Sequence, residues 1–474
     1  MTALAPDVVR SRGRESHRAL GRRARLDAAV RLGAGSALWL GLLLVSWWWA
    51  VDGGLLGLGD GPAAALTSAG RISGLVASVL LLAQVVLMAR VPALESAFGQ
   101  DRLARTHRVV GFTSFSLMLF HVLTITWGYA AGQLGGFLAM LWSLVAGYPG
   151  MLLAAAGTAA LTLVVATSIR AARRRLRYES WHLLHLYAYL GVGLALPHQL
   201  WTGQQFLSSP ARAAFWWSAW ALSAAALLVW RVAVPVGRNL RHRLRVTSVV
   251  RESPGIFSVY VAGRRLDRLR VEAGQFFSWR FLTGPGWSRA HPYSISAGPD
   301  GRSLRVTVQD VGDGSGVVRG LRPGTRVLVE GPYGRLSARA RSRRKVALIG
   351  AGVGITPLRA LAEGLDYRPG EAVLLQRSPD RPLFAHELGV LAEERGLELI
   401  FVPGHRRAPD SWLSDVAGPV RRASDVAVLR AWVPDIADRD VYVCGPPAWA
   451  ALVEQTLAGA GVPADRIHLE TFTW

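Results

Sequence analysis

Val346-Ala347-Leu348-Ile349-Gly350-Ala351-Gly352-Val353-Gly354-Ile355-Thr356-Pro357 is the stretch that decides how the second half of the chain folds. Four consecutive apolar residues are too few for a helix of their own and read as a buried strand. The glycines let the backbone turn tightly, and Thr356 followed by Pro357 suits an N-cap and the first turn of a helix. A strand, a glycine loop and a helix in succession aim free backbone N–H groups at the loop, where they attract a pyrophosphate. Gly350, Gly352, Gly354, Thr356 and Pro357 are therefore candidate dinucleotide-binding residues, although glycines also serve tight turns that hold no ligand.

Toward the C-terminus, Ala372 to Leu375, Leu399 to Val402 and Val441 to Cys444 are further short apolar runs alternating with helical segments. That alternation predicts an open, Rossmann-like α/β sheet over residues 343–474. Cys444-Gly445-Pro446 then falls at the carboxyl edge of the sheet, where ligands bind. Cys444 is either a site residue or an ordinary buried thiol. Toward the N-terminus, Phe257 to Val261, Phe276 to Phe281, Leu304 to Val308 and Val327 to Glu330 alternate between Gly and Pro turns, which predicts a small antiparallel barrel over residues 242–340. Within it, His291-Pro292-Tyr293-Ser294 offers an aromatic ring that can stack on an isoalloxazine and, in Ser294, a hydroxyl for its N5. Gly274-Gln275-Phe276 and Gly331-Pro332-Tyr333-Gly334 flank it at the spacing of a flavin barrel. Ser315 reads equally as a donor to the pyrophosphate or as a turn serine.

The first half has a different texture. Hydrophobic residues make up 51% of the 474 and charged ones 18%, and mean hydropathy is +0.26, which excludes a disordered or fibrous chain. The one cysteine excludes an internal disulfide, a four-cysteine zinc site and a protein-held iron–sulfur cluster. Net charge is +22, yet the arginines cluster beside apolar runs (10–31, 102–108, 170–177 and 238–245) and do not interleave with aromatics. That is a juxtamembrane pattern, and nucleic acid is not an expected partner. Six apolar stretches are long enough to span a bilayer: Gly35 to Val51, Ile72 to Met88, Val109 to Ala131, Met151 to Ile169, His182 to Leu200 and Ala213 to Val236. A six-helix membrane bundle over residues 35–236 is expected, preceded by a retained basic tail over 1–34. The arginine-rich connections place both termini in the cytoplasm.

Histidine within a membrane span is costly and usually functional. His107 and His121 lie on the third span, His185 and His198 on the fifth. Fourteen residues of helix rise about 21 Å and end about 40° short of four turns, so His107 and His121 share a face near opposite sides of the bilayer. Thirteen residues leave about 140° of offset, which Pro197 or a local bulge must correct for His198. Because the two spans run the same way, His107 can face His185 and His121 can face His198. Each pair then offers two axial imidazoles to a haem. The alternative is hydrogen bonding across helices. His182 competes for the ligand role on span five, but its separation from His198 matches less well.

In this order, the paired histidines, the His-Pro-aromatic-Ser/Thr motif, the Gly-x-Gly-x-Gly-x-Thr-Pro loop and the Cys-Gly-Pro turn resemble the ferric reductase and NADPH oxidase superfamily over about residues 35–474. The resemblance implies six membrane helices with two b-type haems, followed by a ferredoxin-reductase-like module for FAD and a nicotinamide dinucleotide. By it, His107 and His185 ligate the inner haem and His121 and His198 the outer one. His291 to Ser294 seat FAD, and Gly350 to Thr356 with Cys444 to Pro446 hold the dinucleotide. Arg377 stands where related reductases meet the 2′-phosphate, with Arg381 assisting, so NADPH is expected over NADH. Phe472 and Trp474 resemble the aromatic terminus that covers the flavin until the nicotinamide displaces it, which completes a catalytic set with Ser294 and Cys444. No calcium-binding extension or long regulatory insertion is seen, so calcium activation is not implied. The expected protein is a multi-pass cell-membrane oxidoreductase with both termini cytoplasmic. It carries electrons from NAD(P)H to an extracytoplasmic small acceptor, a ferric chelate in preference to dioxygen, with the bilayer and no obligatory protein as partner. A superoxide-producing oxidase and a haem-free flavin reductase anchored in the membrane are the alternatives.

Overall fold

The computed structural model describes residues 6–169, 178–284, 287–312, 315–379, 381–415 and 423–471. The chain divides into two compact units, Leu26–Val234 and a second unit that includes Pro235–Trp474.

The first unit is helical: α1 (Pro6–Trp49), α2 (Pro62–Met88), α3 (Gln100–Tyr129), α4 (Phe137–Gly147), α5 (Met151–Ser168), α6 (Tyr178–Thr202) and α7 (Pro210–Leu227). The segment expected as a basic tail is helical from Pro6 and runs without a break into the first apolar stretch. Among the described residues, five helices are long and apolar enough to cross a membrane: Arg25–Gly57, Pro62–Met88, Arg102–Tyr129, Met151–Ser168 and Pro210–His242. The remaining expected span lies in α6, whose 25 residues give it the length. Its apolarity is diluted by His182, His185, Tyr187, Tyr189, His198 and Gln199. The uncharged connection after the third span contains α4, a helix the sequence reading did not anticipate; its 11 residues rise about 16 Å, half of a hydrocarbon core. Apolar side chains stand outward on this unit, Trp142 being 72% and Leu222 70% exposed, which is stable only where lipid replaces water. Inside, α2 packs along α3 and α5 along α6.

The second unit begins with two three-stranded antiparallel sheets. One has the order β1 (Arg245–Ser253), β2 (Ile256–Ala262), β5 (Ser303–Gln309); the other has β4 (His291–Ser294), β3 (Phe276–Phe281), β6 (Val327–Tyr333). The sheets are stitched by single bridges, Arg245 to Arg326 and Ile295 to Val306, where the sequence led us to expect one barrel. A five-stranded parallel sheet follows, with the order β11 (Ile467–Thr471), β10 (Asp440–Gly445), β7 (Val346–Ala351), β8 (Ala372–Ser378), β9 (Glu398–Pro403). Helices α8 (Ile355–Gly364), α9 (Ala385–Arg395), α10 (Asp425–Trp432) and α11 (Pro447–Gly459) connect it. Every residue of β7 and β10 is buried, as expected of central parallel strands. One apolar core runs without interruption from Val259 and Trp279 in the antiparallel sheets to Leu358, Leu374 and Tyr442 in the parallel one. The two lobes read from sequence as separate domains thus share a core.

Candidate functional site

Helices α3 and α6 carry the four histidines. The rings of His107 and His185 lie 6.0 Å apart, centroid to centroid. A metal held by imidazole sits about 2 Å from the nitrogen, so two rings gripping one ion from opposite sides have centroids roughly 6 Å apart. The spacing fits. Ser168 hydrogen-bonds His185 Nδ1 at 3.3 Å and also accepts from Trp181 Nε1, steadying that ring through its other nitrogen in the manner of metal-binding histidines. His182 stands near enough to His185 to act on it electrostatically.

His121 is fixed more firmly still. Its Nδ1 meets the Gly70 carbonyl of α2 at 2.7 Å, which requires the proton on Nδ1 and leaves the Nε2 lone pair available. Gly74, one turn along α2, makes room for the ring, since a Cβ there would stand 2.6 Å from Nδ1. His107 and His185 are thus in ring contact, while His198 lies within electrostatic range of His121. The Nδ1 atoms of His107 and His198 are buried without a hydrogen-bond partner; His107 lies near the Gln84 carbonyl outside hydrogen-bonding geometry. Among the described residues there is no cluster of three or more metal-ligating side chains.

In the second unit, β4 presents the flavin candidates. Tyr293 stacks parallel to His291 with centroids 5.8 Å apart, and burial together with nearby Asp310 pushes its hydroxyl pKa up to about 12. Ser294 is 3% exposed, and its Oγ has no hydrogen-bond partner. A buried orphan hydroxyl costs about 1–3 kcal/mol and is what a site awaiting a ligand atom would show. Ser315 Oγ, by contrast, accepts from Val311 N at 2.9 Å and bonds the Gly312 carbonyl at 3.1 Å, so its hydroxyl already closes its own turn.

The glycine loop forms as read, with one correction. Residues Gly352–Gly354 make a turn of 3₁₀ helix and Gly354 caps α8, so Thr356 lies buried inside the first helical turn and is not the N-cap. A Cβ on Gly354 would collide with the Cys444 carbonyl, so the loop lies directly on the Cys444-Gly445-Pro446 turn. Cys444 itself is fully buried, and burial followed by the charge of Glu470 raises its pKa well above the usual range. Both effects favour the neutral thiol over the thiolate.

Residues 73–196 match the family described as ferric reductase like transmembrane component. The ferredoxin reductase component of 3-ketosteroid-9-alpha-monooxygenase from Mycolicibacterium smegmatis is 31% identical over 251 residues, covering 50% of this chain and 67% of that one. Its counterpart from Rhodococcus rhodochrous is 29% identical over 238 residues, 48% of this chain and 64% of the other. The chain thus spans about two thirds of the length of these curated relatives. Among solved structures, the FAD/NAD-binding domain of nitric oxide dioxygenase from Vibrio cholerae aligns with a TM-score of 0.38 and 24% identity over 48% of this chain and 98% of that one. By the first of these relatives, the second half of the chain belongs to the ferredoxin-reductase-type flavoproteins. The chain joins a ferric-reductase-like membrane component to a ferredoxin-reductase-type FAD/NAD(P) module and is an NAD(P)H-dependent oxidoreductase.

In an open α/β sheet, the carboxyl edge of the strands is the place to look for a dinucleotide. Arg377 ends β8 in register with Ala351 of β7. Its Nε is buried without a partner, and burial, then the neighbouring charge of Arg406, lowers its pKa. Crowded and only weakly held by the Gly404 carbonyl at 3.4 Å, it suits an incoming dianion. Arg381 is exposed. Phe472 and Trp474 lie outside the described residues. Sequence reasoning missed Gly70 and Gly74, although small residues four apart on an apolar helix signal close packing. It also missed Ser168 and a buried group of charges around Arg305, for which no local signal exists.

Proposed function

We propose that the chain passes electrons from cytoplasmic NADPH across the membrane to a small extracytoplasmic acceptor, through FAD and two b-type haems. The observation that carries this reading is the 6.0 Å separation of the His107 and His185 rings on helices that also carry the His121 and His198 pair. His107 and His185 would hold the haem on the cytoplasmic side, and His121 and His198 the one on the far side, with α6 as the fifth of six spans and both termini in the cytoplasm. Bound FAD takes a hydride as two electrons and yields them singly, which is the form haem iron accepts.

The chain's own residues prepare that traffic. Tyr293, its hydroxyl protonated, would stack on the flavin, and Ser294 Oγ, left unpaired inside the fold, would offer its ring system a hydrogen bond. His291 and Pro292 set the strand, and Ser315 closes the neighbouring loop. Gly350, Gly352 and Gly354 allow the pyrophosphate to approach the start of α8, where Thr356 and Pro357 hold the first turn. Gly445 and Pro446 shape the nicotinamide pocket, with Cys444 as a neutral thiol in its wall. Arg377 grips the 2′-phosphate, supported by Arg381. Register pairs Thr471 with Gly445, so the chain leaves β11 beside that pocket, in keeping with Phe472 and Trp474 covering the flavin.

For the acceptor, the outer connections carry few charges and no His or Cys cluster, which argues against a tight iron site. Apolar α4 is no polar cover for captured dioxygen. A ferric chelate reduced by outer-sphere transfer suits this surface better. With NADPH supplied under air, ferric chelate reduction should persist when superoxide dismutase is added. Reduction that vanishes with the dismutase would make dioxygen the acceptor.

A further inference from the structure

Four charged side chains meet between the antiparallel sheets and the parallel sheet. Arg305 of β5, its side chain 5% exposed, grips Glu387 of α9 through two bonds of 2.7 and 2.9 Å. Arg359 of α8 reaches the same carboxylate at 2.7 Å and pairs with Glu363. Burial pushes the Glu387 carboxyl up, but the hydrogen bonds and charges of the two arginines outweigh it and hold the pKa below the usual value. Arg305 also donates to the Ser296 carbonyl at 2.7 Å and to Ser296 Oγ at 3.1 Å. Arg359 approaches that carbonyl at 3.4 Å, and Glu363 accepts from Gly298 N–H.

Ser296 to Gly298 directly follow the strand that presents Tyr293 and Ser294. Arg359 and Glu363 ride on the helix that the glycine loop opens. Stability alone is a weak explanation, because a buried ion cluster often gives no more than packed apolar residues would. We infer that Arg305, Glu387, Arg359 and Glu363 are positioning residues that lock the flavin-stacking strand to the dinucleotide helix and so set the approach of nicotinamide to flavin. The inference rests on the proposed cofactors. None of the four residues touches either cofactor in this account; they act through the 296–298 backbone.

The test uses the full-length protein with FAD, comparing wild type with Glu387→Gln. Because small misplacements of reacting groups cost rate steeply, hydride transfer should slow about tenfold or more while FAD content and the KM for NADPH change little. The long-wavelength charge-transfer absorbance between NADP⁺ and reduced flavin should weaken in parallel. Hydrogen exchange gives a readout independent of turnover: NADP⁺ should protect amides 295–298 in wild type and fail to do so in the variant. If Glu387→Gln does not fold, Glu363→Gln, whose carboxylate is 38% exposed, should show the same losses to a smaller degree. Unchanged rate, charge-transfer band and protection in a folded variant would overturn the inference. A wild-type protein that takes up neither FAD nor NADP⁺ would instead overturn the proposed function.

Discussion

At His121 two constraints meet: the Gly70 carbonyl fixes its tautomer, and Gly74 opens the space for its ring. The glycine makes a sharper probe than the histidine itself, because changing it keeps every histidine in the sequence and alters only where one ring can sit. Gly74→Val should displace the ring and remove the outer haem, leaving about half the haem per FAD, because a metal site loses its ion when one axial ligand is moved. A pyridine haemochrome assay against flavin content checks this, and full haem content would contradict it. Truncating His198→Ala should have the same outcome; two haems retained there would turn attention to His182. Arg377 is the other residue whose environment makes a firm forecast. Losing a charged hydrogen-bonding partner of a phosphate costs about 1.5–3 kcal/mol, so Arg377→Ala should raise the KM for NADPH about 10- to 100-fold and leave NADH nearly unaffected. Equal efficiency with both cofactors in the wild type, unchanged in the variant, would remove Arg377 from the site.

Among the elements, β11 links fold to control. Its His468 meets Asp440 at 3.1 Å; burial pushes that carboxyl up, but donation from His468 and the Arg343 and Ser342 amides holds its pKa below the usual value. The strand is thereby anchored at its start, and its end is delivered to Gly445. Deleting residues 472–474 should increase access of nicotinamide to the flavin, seen as altered NADPH affinity and rate; a truncated protein indistinguishable from the full chain would exclude a gate. Elements with a strong local pattern were legible: β3 spans the same residues, Phe276–Phe281, that alternation marks in the sequence, and β7, β8 and β10 were visible as apolar runs. Helix α4 was not, because an uncharged apolar stretch too short to span reads as a connection. Thr356 was misread because the 3₁₀ turn starts the helix earlier than the Thr-Pro pair suggests. The Arg305 to Glu387 pair, 82 positions apart, depends wholly on tertiary packing and leaves no trace in local composition. The four histidines were legible because ionisable side chains are rare in apolar spans, whereas their hydrogen-bond partners, a backbone carbonyl and a serine, are unremarkable in sequence.

At the scale of the whole molecule, an apolar helical unit carrying two histidine pairs is joined to a ferredoxin-reductase-type module for FAD and NAD(P)H. A hydride brings two electrons and a haem takes one, so under the proposed function electrons leave the flavin singly for the helical unit. The most direct measurement is anaerobic reduction of purified, lipid-reconstituted protein by NADPH, with flavin and haem absorbance followed together. The account predicts two low-spin b-type haems per FAD, both reduced after the flavin accepts hydride. A protein without haem absorbance, or one whose haems stay oxidised while the flavin bleaches, would contradict it.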